Sequence, residues 1–349
     1  VYAPKRLPVD AEECWIVDLL PDSVKIADMD LLERLKTGLR DRFGSLMRAA
    51  RELGINYRNL GKGRFMSIEE VKIVCRHLGL DWKEIRREVR TLTYRGAGHR
   101  LKLKLQVLDE GLAYLLGLIA SDGNVENARV RFYNTNRRLI ENFMRLYKRC
   151  FLEYSYHRYL MKSSSPEQKN REVIQVKNKI LQYIAEALNL KGNLTPMLRM
   201  KESIIAAFLR GIFDGDGSIH IEEISGYRCA KISFDLGDEE FAYGIHLLLR
   251  RFGIISKYYR LKKRVVIDIS NKPDVLRFAN LIGSSHPRKA EILKEAIEIC
   301  REPRVKGSIL DEAPLKCGIL IERLMKRYGI KPSEIPLTPT NIRLSLIHI

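Results

Sequence analysis

Leu115-Leu116-Gly117-Leu118-Ile119-Ala120-Ser121-Asp122-Gly123 and Leu209-Arg210-Gly211-Ile212-Phe213-Asp214-Gly215-Asp216-Gly217 are two copies of one apolar, glycine-punctuated segment, each closing on an acid followed by glycine. They mark an internal duplication. The acids Asp122 and Asp216 lie 94 positions apart, room for one small α/β unit after each segment. This predicts a pseudo-twofold architecture with one carboxylate from each half near the axis.

Gly117 and Ser121, and likewise Gly211 and Gly215, recur at i and i+4 on one helical face. Small residues there let two helix backbones approach closely. The apolar residues need no reading beyond burial, but the ends do. Asp122 and Asp216 fall at helix C-termini, where the macrodipole disfavours an anion. Two carboxylates brought together there repel unless a cation lies between or beside them. A divalent metal supplies one, and Mg²⁺ with hard oxygen ligands, or Mn²⁺ in its place, matches phosphodiester chemistry.

Outward from the repeats, 349 residues suffice for two to three domains, and 62 Lys+Arg against 43 Asp+Glu leave a net charge of +19. A polyanion is the partner this excess points to, and nucleic acid fits better than a membrane. No apolar run approaches the roughly 20 residues of a spanning helix, and no apolar signal segment follows Lys5-Arg6, so an intracellular protein is expected. Six scattered cysteines without a C-x-x-C pair support neither zinc nor a disulfide framework.

After each acid–Gly end the pattern changes to period two. Asn127, Arg129, Arg131 and Tyr133 alternate with Val130 and Phe132, and Arg171, Gln175 and Lys177 oppose Ile174 and Val176. In the second unit Lys231, Ser233 and Asp235 alternate with Ile232 and Phe234, and Val266, Asp268 and Ser270 with Val265, Ile267 and Ile269. Amphipathic stretches between them would cover the apolar faces, so each half reads as α-β-β-α-β-β-α. Guanidinium, amide and ammonium groups on the open faces suit a nucleic-acid groove. Solvation explains one such strand, but several in a chain of net +19 point to nucleic acid.

Ahead of the repeats, Ser45 to Leu53 is amphipathic and stopped by Gly54, Ser67-Ile68-Glu69-Glu70 has capping-box form, and Asp81 caps a further helix. The stretch resembles a helix-turn-helix of the Cro/repressor type. That would place a short helix around Asn56 to Leu60 in a major groove, with Tyr57, Arg58, Asn59 and Lys62 near bases or phosphates; a helical packing module with solvated basic residues is the alternative. The expected fold is α+β, tandem pseudo-twofold αββαββα repeats with a small all-α N-terminal domain. Its divisions are a helical module over 1–92, a basic linker over 93–107, repeats over 108–200 and 201–301, and an extension over 302–349.

The two opening segments resemble the paired motifs of the LAGLIDADG homing endonucleases, in single-chain form, over roughly Leu108 to Arg301. The resemblance implies two motif helices at the pseudo-twofold axis and two saddle-shaped sheets on DNA. It also implies metal-dependent hydrolysis of phosphodiesters in both strands, leaving short 3′ overhangs. Carried over by motif, the metal-binding acids are Asp122 and Asp216, helped by the carbonyls of Ser121 and Gly215. Ala120 departs from the family's first acid, and Asp214 keeps it. Asn136 and Asp238 match the polar positions that order water. Lys289, with Arg288 and His286 as rivals, and Lys191 match the supporting basic residues.

Neither a splicing nucleophile at Val1 nor a closing His-Asn pair is present, so a free-standing or intron-encoded enzyme is expected rather than an intein. The rival readings are a DNA-binding regulator that has lost cleavage and a maturase that binds its own intron RNA. Retention of both acids favours the nuclease. The duplication places both halves in one chain, so a monomer is expected. The closing Leu344–Ile349 resembles a translated sequencing-adaptor tail, with an ordinary apolar tail as the alternative.

Overall fold

The computed structural model describes residues 13–62, 64–93, 100–151, 155–162, 170–224, 226–301 and 327. The reading of 302–349 therefore lies outside the described residues, as does that of 94–99.

The N-terminal module holds β1 (Lys25–Ile26), α1 (Met29–Phe43), α2 (Leu46–Leu53), β2 (Met66–Ser67), α3 (Ile68–Leu78), α4 (Trp82–Ile85), β3 (Thr91–Thr93) and β4 (Arg100–Lys102). Ser45 caps α2 through the Arg48 amide, Gly54 ends it in the left-handed region at φ 66°, and Ser67 and Glu70 close the capping box on α3. The helices fall where the caps place them. The module is not all-α, however: its strands form an antiparallel sheet in the order β2-β1-β3-β4. Strands of two or three residues are too short to write a period-two pattern, so tertiary pairing alone reveals them.

The basic stretch after position 99 is docked. Leu103 is buried and its amide bonds the Arg90 carbonyl, while the Leu108 amide bonds Cys14 and the Ile16 amide bonds Gln106, all at 2.8 Å.

The first repeat runs α5 (Glu110–Asp122), β5 (Gly123–Glu126), β6 (Arg129–Asn134), α6 (Arg137–Cys150), β7 (Tyr156–Met161), β8 (Arg171–Lys177) and α7 (Lys179–Ala187). The second runs α8 (Glu202–Asp216), β9 (Gly217–Ile224), β10 (Tyr227–Leu236), α9 (Glu239–Arg251), β11 (Lys257–Leu261), β12 (Arg264–Ile269), α10 (Lys272–Arg277) and α11 (Pro287–Arg301). Each sheet is antiparallel and the strand orders correspond, β5-β6-β8-β7 and β9-β10-β12-β11. The α-β-β-α-β-β-α order stands in both halves.

The pair α5 and α8 forms the most extensive contact between elements and is buried on nearly every side, as expected for helices apolar all round. A Cβ on Gly117 would lie 2.2 Å from the Phe208 carbonyl oxygen, one on Gly211 2.4 Å from that of Tyr114, and one on Gly215 2.1 Å from Ser121 Oγ. At Gly117 and Gly211 backbone meets backbone, which the absent side chains permit. Flanking layers bury Phe132 on Phe143 in the first half and Phe213, Phe234 and Phe278 together in the second.

Candidate active site at the paired helix ends

Asp109 caps α5 at its start, through the Leu112 amide, and Asp122 is the last residue of that helix. Asp216 likewise ends α8. Close packing at Gly117 and Gly211 brings the two ends together. Burial, and then the charge of Asp216, push the Asp122 carboxyl up to about 6, against the pull of the Asn134 amide, Lys289 and Arg171. Asp216, although exposed at the end of α8, is also raised, by partial desolvation, with Lys191 and Lys289 pulling it down. Two acids that both resist ionisation mark a place where a cation is wanted.

Both matched lysines reach these ends. Lys191 Nζ donates to the Ala120 carbonyl at 2.5 Å and to that of Ser121 at 3.4 Å. Lys289 Nζ donates to the carbonyls of Phe213 at 2.7 Å, Asp214 at 2.9 Å and Gly215 at 3.4 Å. Each half thus lays one ammonium on the C-terminal carbonyls of its own motif helix, a favourable place for a cation. Burial lowers both amines, and the neighbouring carboxylates hold them up.

A cavity of 420 Å³ opens beside the pair, lined among others by Asp122, Asn134, Asn136, Arg171, His286 and Lys289. Asn134 donates to Asp122 at 2.8 Å. Asn136 caps α6 through the Arg138 and Leu139 amides, and its amide nitrogen lies 2.8 Å from His286 Nε2, joining the two halves. An amide donor there makes Nε2 the acceptor and puts the imidazole proton on Nδ1, which is buried without a hydrogen-bond partner among the described residues. Asp238 caps α9 through the Phe241 amide and is not among the residues lining this cavity. Asn134 escaped the sequence reading, although it stands in the same polar run, Asn134-Thr135-Asn136.

Asp214 takes another part. It is 2% exposed and accepts from Tyr114 Oη at 2.7 Å, the Ser285 amide at 2.9 Å and Ser284 Oγ. It ties α8 to α5 and to the loop before α11.

Among the described residues, no group of three or more His, Cys, Asp or Glu is placed to hold a metal ion. A divalent cation would rest on Asp122 and Asp216, with the Ser121 and Gly215 carbonyls adjacent and the lysine amines already on them. That set fits Mg²⁺, which keeps several waters and takes one or two carboxylates plus phosphate oxygens.

The sheet faces turned away from the helices carry the other predicted residues. The register Arg129↔Lys177, Arg131↔Gln175 and Tyr133↔Val173 puts Arg129, Arg131, Tyr133, Arg171, Gln175 and Lys177 on one face, since paired residues in antiparallel strands point the same way. Pairing with β8 adds His157, Tyr159 and Met161. These three escaped notice because β7 is exposed along its whole length and so shows no alternation. Asn127, expected on this face, sits instead at the β5–β6 turn with φ 49°. In the second half Lys231 and Ser233 share a face with Asp268.

The expected recognition helix of the N-terminal module is a single wide turn, Arg58–Lys62. Tyr57 and Arg58 are exposed, while Asn59 turns inward and donates to Glu70 at 2.8 Å. The Lys62 side chain lies outside the described residues.

Residues 109–186 and 203–283 match the model of the LAGLIDADG-like domain. The chain therefore carries that domain, with its motif in two copies, one at the end of α5 and one at the end of α8. It is 25% identical over 347 residues to a component of the A-type ATP synthase of Methanopyrus kandleri, covering 97% of this chain and 32% of that protein. It is 27% identical over 253 residues to the glutamine–fructose-6-phosphate aminotransferase of Methanocaldococcus jannaschii, covering 66% of this chain and 21% of that protein. The chain thus spans about a third or less of the length of these relatives. The probable cell division protein WhiA of Lactococcus lactis is 28% identical over 121 residues, 35% of this chain and 38% of that one. Among solved structures, I-DmoI in complex with DNA and Mn is 18% identical with a TM-score of 0.37, covering 51% of this chain and 98% of that one.

Proposed function

We propose that this chain is a site-specific endonuclease that binds double-stranded DNA as a monomer and hydrolyses a phosphodiester in each strand. The observation that carries the reading is the pair Asp122 and Asp216, one from each half, at adjoining helix ends beside a cavity flanked by Arg171 and Lys289. Asp122 and Asp216 would hold a Mg²⁺ or Mn²⁺ ion, which would supply Lewis-acid activation of water and charge neutralisation at the phosphate. Asn134 orients Asp122, Lys191 and Lys289 fix the carbonyl ends and add positive potential, and the sheet faces seat the duplex. A pure binder has no use for two carboxylates turned toward phosphates.

The similarity to segments of two proteins named for unrelated activities supports an element carried within host genes, the setting in which a site-specific nuclease spreads its own coding sequence. The test is cleavage of a randomised duplex library with Mg²⁺, comparing the native chain with the D122N/D216N double variant. Selection and cutting of one long site by the native chain alone supports the nuclease. Equal binding of one site by both, with no cutting, gives the second reading, a DNA-binding regulator; its support is the likeness to WhiA, a protein named for cell division and not for cleavage.

A further inference from the structure

On the open face of the second sheet a carboxylate sits where DNA would lie. Asp268, in the inner strand β12, is 5% exposed and accepts from Ser233 Oγ at 2.6 Å and Tyr259 Oη at 2.7 Å, with Lys231 Nζ at 2.9 Å. The register accounts for the cluster: Ser233 pairs with Asp268 across β10–β12, and Tyr259 lies one diagonal step away on β11, opposite Val266. Burial pushes Asp268 up, but the hydrogen bonds from Ser233, Lys231 and Tyr259 outweigh it and hold the carboxyl below its ordinary range. The acid is ionised and can only accept.

That fixes the polarity of its neighbours. A hydroxyl has one proton to donate and lone pairs to accept with. Ser233 and Tyr259 each spend that proton on Asp268, so toward an incoming ligand both present acceptors. In the major groove the groups that donate are the exocyclic amines, N4 of cytosine and N6 of adenine, whereas guanine and thymine present O6 and O4, which accept. We propose that the Ser233–Asp268–Tyr259 cluster makes this half of the sheet a reader of exocyclic amines, selecting cytosine or adenine over guanine or thymine at the bases it faces. The inference rests on the DNA-binding reading and deepens it.

The position along the site follows from the register. Ser233 pairs with Ser218, two residues beyond Asp216, about 7 Å of strand. The bases read are therefore among those nearest the cut. Lys231, its charge balanced by Asp268, contributes less to phosphate attraction than an unpaired lysine would.

The test is selection of bound duplexes from a randomised library by the full chain, without divalent metal, for the native protein, D268N, S233A and Y259F. The native protein is expected to show about a tenfold preference for adenine or cytosine at one or two positions near the centre, in the half contacted by β9 to β12. D268N offers an amide donor to one hydroxyl and reverses its direction, so that preference falls below about twofold or moves toward guanine and thymine. Its binding also gains about one unit of salt dependence, because the charge of Lys231 is released. S233A and Y259F, which remove no charge, lose the preference each at its own position while the remaining positions stay as in the native protein. A site selected identically by the native chain, D268N and S233A overturns the inference and leaves the DNA-binding reading intact. A native chain that selects no site overturns both.

Discussion

Gly117 and Gly211 face each other so closely that a Cβ on either would lie 2.9 Å from the other's Cα. The atoms in the way are backbone, which cannot give as a flexible side chain can. Either Gly→Ala change therefore separates the motif helices and, with them, Asp122 from Asp216. The expected loss is about 3 kcal/mol, read as a fall in denaturant midpoint at unchanged slope. A variant as stable as the native chain would show that the helices are not pinned at this point.

The raised Asp122 carboxyl makes the metal-free protein sensitive to pH. A folded-state value of about 6 against an ordinary 3.8 means that the folded chain holds this proton more tightly than the unfolded one. The resulting stabilisation is fully present below the ordinary value and is lost as pH rises through about 6. Asp122→Asn removes this contribution to the dependence and is expected to stabilise the metal-free chain at neutral pH by about 2 kcal/mol, while abolishing cleavage. Thermal melting of both proteins from acid to neutral pH, with chelator present, checks it. Parallel curves would remove Asp122 as their source.

Lys289 and Lys191 are separable by the same measurement. Lys289 pulls down both carboxyls, whereas Lys191 is the leading pull on Asp216. In Lys289→Met the Asp122 titration is expected to move above its native midpoint, and the unpaired carbonyls of Phe213 and Asp214 cost about 2 kcal/mol. The Lys191 amine is held up more by Asp216 than by Asp122, so Lys191→Met should move the Asp122 midpoint less than Lys289→Met does. NMR titration of labelled aspartates reads the difference, and equal movement in both variants would contradict the assignment.

Asp214 is expected to behave as a structural acid although it lies two residues from Asp216. Asp214→Asn turns an amide toward Tyr114, Ser284 and Ser285, which all donate to the native carboxylate. The expected cost is about 2 kcal/mol, with metal-dependent cutting kept at a temperature where the variant is folded. Loss of cutting in a fully folded Asp214→Asn would instead place this acid in the chemistry.

The sequence by itself determined the duplication, the two helices with their terminal acids and the alternating strands, because these are local patterns: a helical period with small residues at i and i+4, a stop at glycine, a period of two. It also pointed to Lys191 and Lys289 by motif, and the structure puts both ammonium groups on the helix-end carbonyls. Tertiary structure alone decided what depends on contacts between distant residues. The N-terminal sheet arises from pairing of strands two or three residues long, and β7 joins the open face through its register with β8 although its own sequence shows no alternation. Asp214 and Asp216 look alike in the sequence, yet one is buried under Tyr114 and the other ends its helix beside Asp122. Asp268 and Ser233 likewise read as two polar positions on separate strands. Only the antiparallel register brings carboxylate and hydroxyl to 2.6 Å, and a hydrogen bond's direction is fixed by the partner, which local sequence does not name.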